Sequence, residues 1–132
     1  MSAVMDLLEP SFASSISKVL NLSIMGRLLD DTSVDFLPSL IEVFEVESAQ
    51  RLENINSNLA SRNLSALSVE AHSLKGTSAT FGAESLRLLS EKIEKGAASG
   101  DLELVESLVP EIPAKLDAVL GALQEFSTKL NS

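Results

Sequence analysis

Residues 64–82 read LSALSVEAHSLKGTSATFG, Leu64 through Gly82. Within them Leu64, Leu67, Ala71, Leu74, Ser78 and Phe81 recur at intervals of three, four, three, four and three. That is the period of a helix with one buried stripe, because positions three and four apart share a helix face. The polar Ser61-Arg62-Asn63 precedes the stripe, and Gly82 is the residue type that accepts the left-handed conformation at a helix C-terminus. A helix with a single apolar stripe must bury it against others, so further stripes are expected on either side.

They are present. Upstream, Ser33 is an N-cap residue type with Asp35 in the first turn. Leu37, Ile41, Phe44, Ser48, Leu52, Ile55 and Leu59 then predict one long helix over 34–60. Downstream, Glu84 opens a segment with Leu86, Leu89, Ile93 and Ala97 on one face, and Lys92 and Lys95 suit its C-terminal dipole. Residues 96–100 read as a loop. Asp101 caps a short segment interrupted by Pro110 and Pro113, and Ile112, Leu116, Val119, Leu123, Phe126 and Leu130 form a closing seam. Before Ser33, the residues Phe12, Ile16, Val19, Leu20, Ile24, Leu28 and Leu29 suggest one or two short helices, with residues 1–9 frayed. Four seams joined by short polar breaks predict an all-α chain: an antiparallel four-helix bundle, with an additional short N-terminal helix or helices capping one end.

Composition narrows the function. The chain has 132 residues, 45% hydrophobic, with 10 basic and 19 acidic side chains and a net charge of −9. One domain of that size buries a sufficient core without staples. With no cysteine there is no disulfide framework, thiolate nucleophile, thiolate zinc site or iron–sulfur cluster, and a reducing compartment fits. One histidine excludes any mechanism that needs two imidazoles. An acidic chain without a basic block is not expected to bind nucleic acid. Nor does any apolar run approach the ~18 residues of a membrane span, so no membrane association and a cytoplasmic location are expected. Phosphate-binding Gly loops, HExxH, GxSxG and Ca²⁺ loops are absent. The acids Glu42, Glu45, Glu47, Glu53, Asp101, Glu103 and Glu106 lie mostly off the seams and read as solvated faces, which disfavours a paired-carboxylate hydrolase.

His72 is the informative position. At about 100° per residue it falls roughly 130° from the stripe of its own helix and points outward. Ser68, Val69, Lys75, Gly76 and Ala79 share its face. A glycine inside a helix costs ~1 kcal/mol relative to alanine, so Gly76 calls for compensation: either close helix packing or access for a partner. An exposed neutral imidazole is a competent nucleophile. Lys75 brings positive charge to where a phosphoryl group would arrive, and Gly76 leaves room.

The segment Ala71-His72-Ser73-Leu74-Lys75-Gly76-Thr77-Ser78-Ala79-Thr80-Phe81-Gly82-Ala83 resembles the signature of histidine-containing phosphotransfer (HPt) domains. Phe36-Leu37-Pro38-Ser39-Leu40-Ile41-Glu42-Val43-Phe44 is similar to the family's preceding helix, and the resemblance runs more loosely from Val19 to Leu130. It implies a four-helix bundle over 19–132, with residues 1–18 as an N-terminal extension or cap. Its histidine would take a phosphoryl group from a receiver-domain aspartyl phosphate and pass it to another receiver's aspartate. Carried onto this chain, His72 is the phosphoacceptor, Lys75 stabilises phosphoryl charge and Gly76 gives access. Members often place a polar residue of the following helix near the imidazole; Ser90, Glu91 and Glu94 are open alternatives here.

The resemblance further implies a phosphotransfer carrier rather than a stand-alone enzyme, without kinase activity, cofactor or metal of its own. Its partners would be response-regulator receiver domains and a hybrid sensor histidine kinase, and a monomer is expected. Docking would use the face around His72, with Val69, Ala79, Phe36 and Leu40 as candidates. Two other readings are a non-catalytic helical adaptor on a receiver or kinase, and a detached phosphoacceptor domain resembling that of chemotaxis-type kinases. The phosphocarriers of sugar uptake would need a mixed α/β fold, for which the chain offers no strands.

Overall fold

The stripe that begins at Leu64 lies on a single helix. The computed structural model describes residue 14, residues 16–32 and residues 34–130. Among these it contains six α-helices: α1 (Leu22–Thr32), α2 (Leu37–Ala60), α3 (Leu64–Thr80), α4 (Glu84–Ala98), α5 (Leu102–Leu108) and α6 (Ile112–Leu130). No strand occurs among the described residues. Helix α3 packs between α2 and α4, and α6 closes the ring by touching both. The expected four-helix bundle is therefore α2, α3, α4 and α6, with α1 as the additional N-terminal helix and α5 leading into α6.

Each seam points inward. Leu37, Ile41, Phe44 and Ile55 of α2, Leu67, Ala71 and Leu74 of α3, Leu86, Leu89 and Ile93 of α4, and Ile112, Leu116, Val119, Leu123 and Phe126 of α6 are buried in one core. Phe44 and Phe81 meet edge to face, with ring centroids 5.1 Å apart and planes at 66°. Ser48, Ser78 and Ser90 lie in the same core, and each hydroxyl donates to a carbonyl one turn back, at 2.6, 2.7 and 2.8 Å. These bonds satisfy the hydroxyls locally, so three seam positions stay small without a buried unpaired oxygen.

The ends of α3 follow from single residues. Asn63 Oδ1 accepts from the Ala66 N–H at 3.1 Å, which caps the N-terminus. At the other end Gly82 takes φ +70°, the Ala83 N–H reaches Ser78 O and the Gly82 N–H reaches Ala79 O, as in a Schellman C-cap. Gly82 is also fixed by packing: a Cβ there would lie 2.9 Å from Asn21 O, and the Asn21 N–H donates to Gly82 O at 2.7 Å. This contact pins the start of α1 to the end of α3. Ile16, Leu20, Met25 and Leu29 are buried in the common core, whereas Phe12 and residues 1–9 lie outside the described residues.

Three local expectations are corrected. Helix α2 starts at Leu37, not at residue 34; Val34–Phe36 form a 3-10 turn, and Pro38 occupies the first helical turn, where a missing N–H costs nothing. The expected cap Ser33 lies outside the described residues. Gly96 is not in a loop but buried within α4, where a Cβ would approach Leu104 Cδ2 to 3.2 Å. The lack of a side chain lets α5 sit close, and the turn shrinks to residues 99–101. Pro113 opens α6 rather than interrupting it, while Pro110 lies in the 3-10 turn Val109–Glu111. Asp101 does cap α5, accepting from the Leu104 N–H at 3.1 Å.

Candidate functional site

His72 projects from α3 with 67% of its side chain exposed, as its angular offset from the buried stripe requires. Val69, one turn before it, is 63% exposed, and Ala79 is half-buried. Gly76 is exposed, and a Cβ built on it would meet nothing within 4 Å. Close helix packing therefore does not explain this glycine. What its missing side chain leaves open is solvent-facing space on the turn after His72.

Helix α4 completes the site. His72 Nδ1 lies 2.7 Å from Glu94 Oε2, and Lys75 Nζ lies 2.7 Å from Glu94 Oε1. The first contact is an aligned hydrogen bond. The second is a close charge contact without hydrogen-bond alignment at Oε1. One carboxylate, with 22% of its side chain exposed, thus holds two side chains of α3. The other two alternatives are engaged elsewhere: Ser90 is buried and bonded to Leu86 O, and Glu91 pairs with Arg87 and Lys95. Contact with Lys75, and secondarily with His72, holds the Glu94 carboxyl below its ordinary range, against the opposing effect of burial. Glu94 is therefore ionised near neutral pH. Since an ionised carboxylate only accepts hydrogen bonds, Nδ1 is the donor, and in the neutral imidazole the free lone pair is then at Nε2.

The backbone around the imidazole is fastened on both flanks. Toward α4, Ser68 Oγ donates to Glu94 O at 3.2 Å. Toward α2, Arg51 Nη1 donates to Glu70 Oε2 at 2.6 Å while its Nε faces Glu47 at 3.1 Å. Helix α3 cannot roll without breaking one of these contacts. At the start of α2, Phe36 of the 3-10 turn and Ser39, Leu40 and Val43 of the helix line an almost wholly apolar groove, with Phe36 and Val43 exposed and Leu40 half-buried. Among the described residues, no group of three or more His, Asp or Glu side chains is placed to hold a metal ion, and no helix is long and apolar enough to cross a membrane.

A family model described as the Hpt domain matches residues 39–125, which takes in α3, α4 and nearly all of α2. The chain belongs to the Hpt domain family. This Hpt domain is similar to the phosphorelay intermediate protein rdeA of Dictyostelium discoideum, with 26% identity over 92 residues that cover 70% of this chain and 36% of rdeA. The chain thus spans only about a third of the length of that curated relative. Its fold matches the crystal structure of histidine-containing phosphotransfer protein B (HptB) from Pseudomonas aeruginosa PAO1, with a TM-score of 0.78 and 25% identity, covering 83% of this chain and 94% of HptB.

Within the Hpt domain the three residues singled out from sequence, His72, Lys75 and Gly76, lie on one stretch of α3 as expected. Glu94 stood among three alternatives. A signal for it was present in the numbering: His72 lies ten residues before Gly82 and Glu94 twelve after it. In an antiparallel helix pair, residues about equally far from the turn come level. The Arg51–Glu70 clamp left no comparable trace, because nothing in the stripes fixes which charged residues meet across two helices.

Proposed function

We propose that this chain is a cytoplasmic phosphorelay intermediate, acting as a monomer. It takes a phosphoryl group onto His72 from a receiver-domain aspartyl phosphate and delivers it to the aspartate of a second receiver. A hybrid sensor histidine kinase carrying such a receiver is the kind of donor that fits. The reading rests on one observation: an open imidazole in an Hpt domain with its Nδ1 bound to a carboxylate at 2.7 Å, which leaves Nε2 as the nucleophile.

In the transfer, the Nε2 lone pair attacks phosphorus in line with the bond to the donor carboxylate. The N–P bond forms as the P–O bond breaks, and the bonding pair leaves with the aspartate. Positive charge grows on the imidazole, and Glu94 stabilises it through Nδ1–H as an acidic partner does for a catalytic histidine. Delivery to the second receiver reverses these changes. Gly76 gives the phosphoryl group and the partner access, and Lys75 keeps positive charge within the site. Within the expected N-terminal extension or cap, residues 1–18, Ile16 contributes a buried side chain to the core. Phosphoryl transfer through a loose transition state asks mainly for in-line placement and charge stabilisation, which so small a site can supply.

The deciding experiment incubates the chain with a radiolabelled phospho-receiver. Wild type is expected to gain acid-labile, base-stable label and to pass it to a second receiver, while His72→Gln gains none. Equal labelling of the two proteins removes His72 from the mechanism. Binding without labelling, unchanged in His72→Gln, would instead make the chain an adaptor.

A further inference from the structure

In the free protein the Lys75 ammonium is already committed to a partner. Its Nζ is 2.7 Å from Glu94 Oε1, while the other oxygen of that carboxylate binds His72 Nδ1. Lys75 is only 28% exposed, so the side chain lies along the groove between α3 and α4 rather than reaching into solvent. No other charged side chain contacts Glu94 among the described residues; its neighbour Glu91 is taken by Arg87 and Lys95.

We propose that Lys75 acts on His72 through Glu94, as a positioning residue that fixes the carboxylate and so fixes which imidazole nitrogen is free to attack. The inference rests on His72 being the phosphoacceptor. Two physical effects support it. A carboxylate anchored at one oxygen can turn about its last torsion; anchored at both, its plane is set and the imidazole it binds is set with it. Charge gives the second effect. With Lys75 beside it, Glu94 presents the imidazole with half of an ion pair rather than a lone anion. A lone anion favours the doubly protonated imidazolium, in which Nε2 carries a proton and cannot attack.

Lys75→Met should therefore raise the fraction of His72 protonated on Nε2 at a fixed near-neutral pH, and Lys75→Arg should restore the wild-type state. Because the chain contains a single histidine, long-range nitrogen–proton NMR reads this state in the 132-residue chain without assignment. The rates give an independent check. Lys75→Met and Glu94→Ala should each slow phosphoryl uptake from a phospho-receiver, and the double variant should be no slower than Glu94→Ala alone. A wild-type imidazole spectrum in Lys75→Met overturns the proposal. So does a further slowing when Lys75→Met is added to Glu94→Ala, which would mean that the lysine acts on the phosphoryl group directly. The spectra need no phosphoryl donor, so a wild type that takes up no label would defeat the carrier reading while they still decide whether Lys75 works through Glu94.

Discussion

Gly76 stands inside a helix where nothing within 4 Å would oppose a Cβ. Alanine at such a position is worth about 1 kcal/mol of helix stability over glycine, so the free protein gives up that stability for an open surface one turn from His72. Gly76→Ala is expected to raise the urea-unfolding free energy by about 1 kcal/mol and to slow phosphoryl uptake. A stabilised variant with the wild-type rate would end the access role of this glycine. The residues of α3 were legible from sequence because a helix rotates by a fixed angle per residue, so the exposure of His72 follows from the stripe beside it. The role of Glu94 depends on the register between two helices, which side-chain interdigitation sets and one stripe does not.

Three helices of the bundle end in the same way. After α3 and α4 the left-handed residue is Gly82 or Gly100, with φ +70° and +77°. After α2 it is Arg62, at φ +58°, although the Asn63 N–H to Asn58 O and Arg62 N–H to Leu59 O bonds repeat the pattern. A residue with a Cβ pays about 1–2 kcal/mol in this conformation. Glycine would relieve that cost but would lose part of the gain to a more flexible unfolded chain. Arg62 also faces Glu106 at 3.6 Å, but both side chains are largely exposed and such a pair adds little. Arg62→Gly should therefore stabilise the fold by up to about 1 kcal/mol, read as a higher urea midpoint at unchanged slope; a lower midpoint would mean that the turn draws on the arginine side chain. The helices themselves were readable because their stripes are long and regular. Their ends were less so at Gly96, where packing against Leu104 and Val105, invisible to local pattern, keeps a glycine helical.

Across the whole molecule, acid should act through the site before it reaches the core. The Glu94 carboxyl is held below its ordinary value of 4.5, chiefly by Lys75. A group depressed in the folded state contributes stability above its unfolded value and loses it as the pH falls through the folded one. Unfolding free energy should therefore drop more steeply on the acid side of the carboxylate range in wild type than in Glu94→Gln. Parallel curves would mean that the Lys75–Glu94–His72 contacts add nothing to stability.

The ion pairs that hold α3 against α4 also shape the field around the protein. Between Leu64 and Ala98 four basic and four acidic side chains cancel, so the whole charge of −9 resides on the other helices and the ends of the chain. The imidazole opens through this neutral pair of helices; α6 also nets to zero, with Lys115 and Lys129 against Asp117 and Glu125, so the negative excess gathers on the remaining parts of the chain. An approaching partner whose own contact surface is rich in carboxylates is repelled less by α3 and α4 than by the acidic α2 and α5. Long-range repulsion thus turns the two molecules toward a productive encounter before their surfaces touch.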